Sequence, residues 1–136
     1  MAEVKHKVEN LNKMMKALER AINRLEHAVP EDVEYVQDSV IARFKILIES
    51  TWKHIALFLQ EQGFEELPAS PKGIINFAYE KNFLSLIEHD NFLKYLSLRN
   101  LASHLYDQPQ YVLVVTAAPG ALALIILLVA RMTKNN

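Results

Sequence analysis

A chain of 136 residues, 51% of them apolar and few of them glycine or proline, can bury roughly two-thirds of its unfolded surface around a core. Its 15 basic and 16 acidic side chains leave a net charge of −1, so no global field announces nucleic acid and any such contact has to be local. Cysteine is absent, which excludes disulfides, thiolate zinc sites and cysteine nucleophiles. The charged opening "MAEVKHKVENLNKMMKALER" is no secretory signal, so the cytoplasm is the expected compartment.

The first helix is marked by Leu11, Met15, Leu18, Ile22, Leu25 and Val29, whose steps of four and three make the apolar seam of a bundle helix. Pro30, Glu31 and Asp32 restart the chain with acidic groups suited to a helix N-terminus. The second helix is predicted from about Asp32 to Gln62, with Val33, Val36, Val40, Phe44, Leu47, Thr51, Ile55 and Phe58 facing inward and Gly63 as its stop. "FEELPASP" reads as loop, and Ser70-Pro71 as an N-cap followed by proline, opening a short third helix to about Lys81. Asp90 can cap a fourth helix with Tyr95, Leu98, Leu101, Ala102 and Leu105 on one face, and Pro109 is expected to end it. The last helix, about Gln110 to Met132, is expected to kink or split at Pro119-Gly120. No strand pattern competes. The fold class is therefore all-α, an antiparallel up-and-down bundle of four or five helices making one domain over residues 1–136.

From Tyr111 to Ala130 there is no charge, and such a run is long enough to span a bilayer. Against a span stand the central Pro119-Gly120, the many alanines, and Arg131 and Lys134, which would hold the C-terminus inside and place the bundle outside. The expectation is a helix buried by its own bundle and a partner surface, not by lipid.

The segment "LSLRNLASHLYDQP" carries the chemistry. On a helix, Arg99, Ser103 and Tyr106 share one strip and Asn100, His104 and Asp107 the next, giving a polar face opposite the leucines. Such residues can be solvent-facing groups at a helix end, where Arg99 and His104 favour the dipole. Glu49 and Lys53, four apart, can be a surface ion pair. If the second helix packs beside the fourth, Glu49 can instead hold Arg99 or His104. Trp52 reads as core or interface. His6, His27, His54 and His89 lack ligand spacing and read as ordinary polar positions, and "IEHD" is no metal site on its own. No metal or cofactor is expected.

The complete pattern "RNLASHLY", Arg-x4-His-x-Tyr with Asn after the Arg, resembles the signature of the HEPN superfamily (higher eukaryotes and prokaryotes nucleotide-binding). The chain looks like its nucleotidyltransferase substrate-binding branch, with "RFKILIESTWK" at the second-helix spacing and "SPKGIINFAYEKNFL" at the third helix. The likeness spans roughly residues 8 to 115; the uncharged "AAPGALALIILLVA" departs from relatives that carry charge there. The resemblance implies a bundle that dimerises, with Arg99 and His104 of two copies meeting across the interface. It implies a metal-independent ribonuclease of the toxin–antitoxin kind, silenced when a minimal nucleotidyltransferase transfers AMP to Tyr106. Other members are known only as substrate-binding partners. The chemistry is coherent: an imidazole can serve as base or acid at neutral pH, and a permanently charged guanidinium suits a phosphorane. Asn100 would orient the imidazole or bind phosphate.

Overall fold

The computed structural model describes residues 2–102 and 108–134, with side chains from Lys7 to Ala102 and from Gln110 to Lys134. Among them five α-helices and one short 3-10 turn appear: α1 (Ala2–Glu26), the turn Pro30–Asp32, α2 (Val33–Glu61), α3 (Pro71–Glu80), α4 (Leu86–Ala102) and α5 (Gln108–Lys134). The short link between α1 and α2 folds them into an antiparallel hairpin, and α2 runs through the middle, touching every other helix. α5 closes the bundle against α1, α2 and α4, while the short α3 lies beside α2 and α4.

The seams expected from periodicity supply the core. Leu11, Met15 and Leu18 of α1 meet Val40, Phe44, Leu47, Ile55 and Phe58 of α2, and Val114, Ala118, Ala121, Ile125 and Leu128 of α5. Thr51 is wholly buried on α2, and its hydroxyl donates to the Leu47 carbonyl at 2.7 Å, which makes its burial tolerable. Val29 is the exception on the first seam: α1 ends at Glu26, so Val29 falls in the turn and is 51% exposed.

The stops are chemical. Gly63, at φ +103°, takes the left-handed position after α2, and its N–H and that of Phe64 donate back to the Gln60 and Leu59 carbonyls. Ser70 caps α3 by accepting from the Gly73 N–H at 3.0 Å. A Cβ at residue 73 would lie 2.7 Å from the Pro68 ring and 2.8 Å from the Ser70 hydroxyl, so only glycine allows this cap.

Three expectations are corrected here. Asp90 does not cap α4. The helix begins earlier, at a reciprocal capping box in which the Ser85 N–H donates to Glu88 Oε1 and the Glu88 N–H donates to Ser85 Oγ, at 2.9 and 3.2 Å. Pro109 does not close α4 but stands in the first turn of α5, where its missing N–H removes no helical bond. Nor does α5 split: it is assigned as one helix across Pro119, which sits on the exposed side of the helix.

α5 is long and apolar enough to cross a membrane, with a mean hydropathy of 2.7 over its most apolar window. The expected burial by the bundle holds on one face only. Val112, Leu113, Ile126 and Leu127 point outward, each about half exposed.

His54 is a further correction. It is not an ordinary polar position: it is 2% exposed, and neither ring nitrogen has a hydrogen-bond partner among the described residues. Burial, reinforced by the nearby Lys7 charge, lowers its pKa below the ordinary 6.5. The unfolded chain therefore takes up this proton first as pH falls, and stability is lost below about pH 6.5 and kept above it. In His54→Leu the decline between pH 6.5 and 5 should be shallower in denaturant titrations than in the native chain. Equal slopes would remove His54 from the acid response.

Candidate functional site

The residues singled out on α2 and α4 come together. α4 buries the stripe Phe92, Tyr95, Leu96 and Ala102. Arg99 lies four residues beyond Tyr95 and three beyond Leu96, so it continues that stripe toward α2 and does not face solvent. Its side chain is only 19% exposed. A guanidinium in that position requires a counter-charge, and Glu49, from the adjoining turn of α2, forms an ion pair with it. The second of the two alternatives for Glu49 thus holds for Arg99. Glu49 also keeps its local partner, with the Lys53 ammonium 3.4 Å away. Arg99 donates further to the Asn100 side-chain oxygen at 2.6 Å, so Asn100 helps to fix the guanidinium.

The Arg99–Asn100 end of α4 separates two open depressions. One, of about 510 Å³, lies toward α2 and is lined by Lys45, Ile46, Glu49 and Ser50. The other, of about 280 Å³, lies toward the start of α3 and is lined by Ser70, Pro71, Lys72, Leu93 and Ser97. Arg99 borders both, so an anion in either depression would meet a cation whose orientation is already fixed. His104 and Tyr106 lie outside the described residues, as do Leu105 and Asp107. Among the described residues no group of three His, Cys, Asp or Glu side chains is placed to hold a metal.

Trp52 is half-buried against the core, as read from sequence. His89, read there as an ordinary polar position, joins α3 to α4, its Nε2 lying 2.7 Å from Asn76 Oδ1 and its Nδ1 2.9 Å from Asp90 Oδ1. Arg131, read from sequence only as a positive charge flanking the apolar run, pairs with Glu88. Its guanidinium makes bonds of 2.9 and 2.8 Å to the two Glu88 oxygens and one of 2.8 Å to the Phe83 carbonyl. Glu88 responds with a pKa lowered to about 2, chiefly through the Arg131 hydrogen bonds. Arg-x-x-x at a helix C-terminus carries no sequence signal for a carboxylate 43 residues away.

The sequence model of the family described as "Nucleotidyltransferase substrate binding protein like" matches residues 6–123. The chain belongs to that family. Its helical architecture is shared with several solved structures. A Thermus thermophilus protein superposes with a TM-score of 0.78 at 28% identity, covering 90% of this chain and 98% of its own. A tri-AMPylated Shewanella oneidensis HEPN toxin, solved in complex with an MNT antitoxin, gives 0.76 at 18% identity, covering 98% and 97%. The MntA-HpeT toxin–antitoxin gives 0.79 at 17% identity over the full length of both chains. At these last identities the likeness is one of fold. A search of proteins with curated function gave no match.

Proposed function

We propose that this substrate-binding family member is a HEPN toxin, a metal-independent endoribonuclease acting in the cytoplasm as a homodimer. A partner minimal nucleotidyltransferase silences it by transferring AMP to Tyr106. The observation that carries the reading is the placement of Arg99: a permanently charged donor fork, half-buried and aligned by Glu49 and Asn100, bordering depressions on two sides. Charge that develops on a phosphorane is stabilised best by donors already in position.

In this mechanism His104 of one copy takes the proton of the RNA 2′-hydroxyl, which attacks the adjacent phosphorus. His104 of the other copy protonates the departing 5′-oxygen. One imidazole per chain cannot readily do both, and a twofold pair supplies the second. Arg99 meets the phosphorane charge, with Glu49 and Asn100 as positioning residues. An AMP on Tyr106, two residues beyond His104 in the motif, adds a bulky anion to the motif segment and opposes the RNA phosphate by charge and by size. The MNT antitoxin that accompanies the AMPylated Shewanella HEPN protein supports this assignment of partner and modification.

A second reading has its own support. A net charge of −1 is low for a surface that grips RNA, and the family description is that of a substrate-binding partner. On that reading the chain docks on the nucleotidyltransferase and presents a modifiable tyrosine without cutting RNA.

The modification is tested by co-expression with the nucleotidyltransferase followed by mass spectrometry of the intact chain. An AMP adduct is expected on Tyr106 and should be absent in Tyr106→Phe. An unmodified Tyr106 under these conditions would overturn the silencing mechanism. Growth arrest by the native chain but not by Arg99→Ala separates toxin from docking partner.

A further inference from the structure

The bundle leaves one face of α5 uncovered, and from Tyr111 to Ala130 that helix carries no charge. Large apolar side chains stand at the two ends of the face. Val112 and Leu113 are 55% exposed at one end, and Ile126 and Leu127 are 46% and 50% exposed at the other. Between them the exposed residues are small: Thr116, Pro119, Gly120 and Ala123.

The order is a palindrome about the bond between Pro119 and Gly120. Counting outward from it, Thr116 answers Ala123, Leu113 answers Ile126 and Val112 answers Leu127. A twofold interface demands this arrangement, since a residue that meets a second one across the axis must be met in return. Two α5 helices laid antiparallel, with the axis at Pro119-Gly120, set large residues against large and small against small. They can cross closely at the small waist, while the larger ends fill the gap that widens on either side.

Charge sets the same direction. Beside the Val112 end stand Glu34 and Asp38, the latter accepting a hydrogen bond from the Tyr111 hydroxyl. Near the other end stand Lys16, with Glu19, beside Ile126, and Lys134, seven residues beyond Leu127 and so on the same side of the helix. Antiparallel pairing brings the acidic end of each copy to the lysine end of the other; parallel pairing would set like on like. The exposed fractions along the face amount to roughly 600 Å² per copy and about 1,200 Å² for a pair, the lower bound of a specific interface. A bilayer needs no such symmetry, and helices that lie in its surface are flanked by lysine and arginine, whereas acids flank one end here.

We propose that the outer face of α5 is an interface with a second copy of this chain, the two helices antiparallel about a twofold axis at Pro119-Gly120. Its residues line neither depression beside Arg99, so this contact is separate from one that joins two Arg99 sites. Together the two contacts would build assemblies larger than a dimer. The α5 pairing stands whether or not the ribonuclease reading holds.

The native chain has no cysteine, so introduced thiols report one contact at a time. Val112→Cys and Leu127→Cys are purified as full chains, mixed in equal amounts and mildly oxidised. The mixture is expected to form a disulfide-linked pair of one Val112→Cys and one Leu127→Cys chain. Either variant alone should stay unlinked, because equivalent thiols in the pair lie about 22 Å apart, fifteen residues along the helix. Adding Ala123→Glu to the Leu127→Cys chain should slow linkage at least ~10-fold, since a charge is then buried against Thr116 of the partner subunit. No linked pair in the mixture would overturn the proposal, as would equal linkage in the single variants or a rate unchanged by Ala123→Glu. Flotation of the unlinked chain with phosphatidylglycerol vesicles would assign the face to lipid instead. Pairing through the Arg99 end leaves these thiols apart, so that reading is neither helped nor harmed by the result.

Discussion

Replacing Arg99 with alanine is expected to lower RNA cleavage by about 10²- to 10³-fold, the usual loss when one preorganised donor to a developing oxyanion is removed. Lysine at this position should recover only part of the activity. It keeps the charge but has no planar fork with which to hold Glu49 and Asn100 while meeting a phosphate. Glu49→Gln behaves differently: the guanidinium loses its aligning charge but not its own, so a smaller loss is expected. The alanine variant also strands Glu49, only 35% exposed, without its guanidinium. Thermal melting measured alongside cleavage therefore separates misfolding from chemistry. An Arg99→Ala protein that melts normally and retains a tenth or more of its activity would remove Arg99 from the phosphate site.

Arg131→Met is expected to cost about 2–3 kcal/mol of folding stability, because a half-buried pair is broken on one side and the other side is left uncompensated. Three bonds go at once: two to Glu88 and one to the Phe83 carbonyl. The acid dependence follows from the same residues. Glu88 has a folded pKa of about 2 against an ordinary 4.5, so its contribution is complete above pH 4.5 and is lost as pH falls from there toward 2. Urea titrations at pH 7 and pH 3 should therefore show a smaller gap between the two pH values in the variant than in the native chain. A gap of the same size in both would mean that the pair contributes nothing to acid stability.

Helix periodicity made most of the architecture readable before any coordinates. The α1 and α2 seams, the Gly63 stop and the Ser70-Pro71 start are local signals, and each lies where the spacing puts it. The site was legible in part. Arg99, Asn100 and Glu49 were identified by pattern, yet the helical wheel placed Arg99 on a face opposite the leucines. The face read from sequence was Tyr95, Leu98, Leu101, Ala102 and Leu105; Tyr95 and Ala102 are buried, Leu98 and Leu101 only partly so, and Phe92 and Leu96 complete the buried stripe. Shifting the centre by one residue moves Arg99 inward, and only the packing of α4 on α2 decides it. His54 was illegible for a similar reason. It is adjacent to Ile55 on α2, and its burial depends on where α1 crosses. Asp90 was misread because an aspartate before an apolar run looks like a cap, while the Ser85–Glu88 pair that begins five residues earlier was already a complete one.

The glycine at the start of α3 bears on how tightly a ligand could be held. Ser70, Pro71 and Lys72 form one bank of the smaller depression beside Arg99, and the bond from Gly73 to Ser70 holds that bank in place. Proline fixes one torsion and the cap fixes the next turn, so the bank loses little freedom when an occupant arrives. An incoming anion thus meets walls that are set in advance, and more of its attraction to Arg99 remains as affinity.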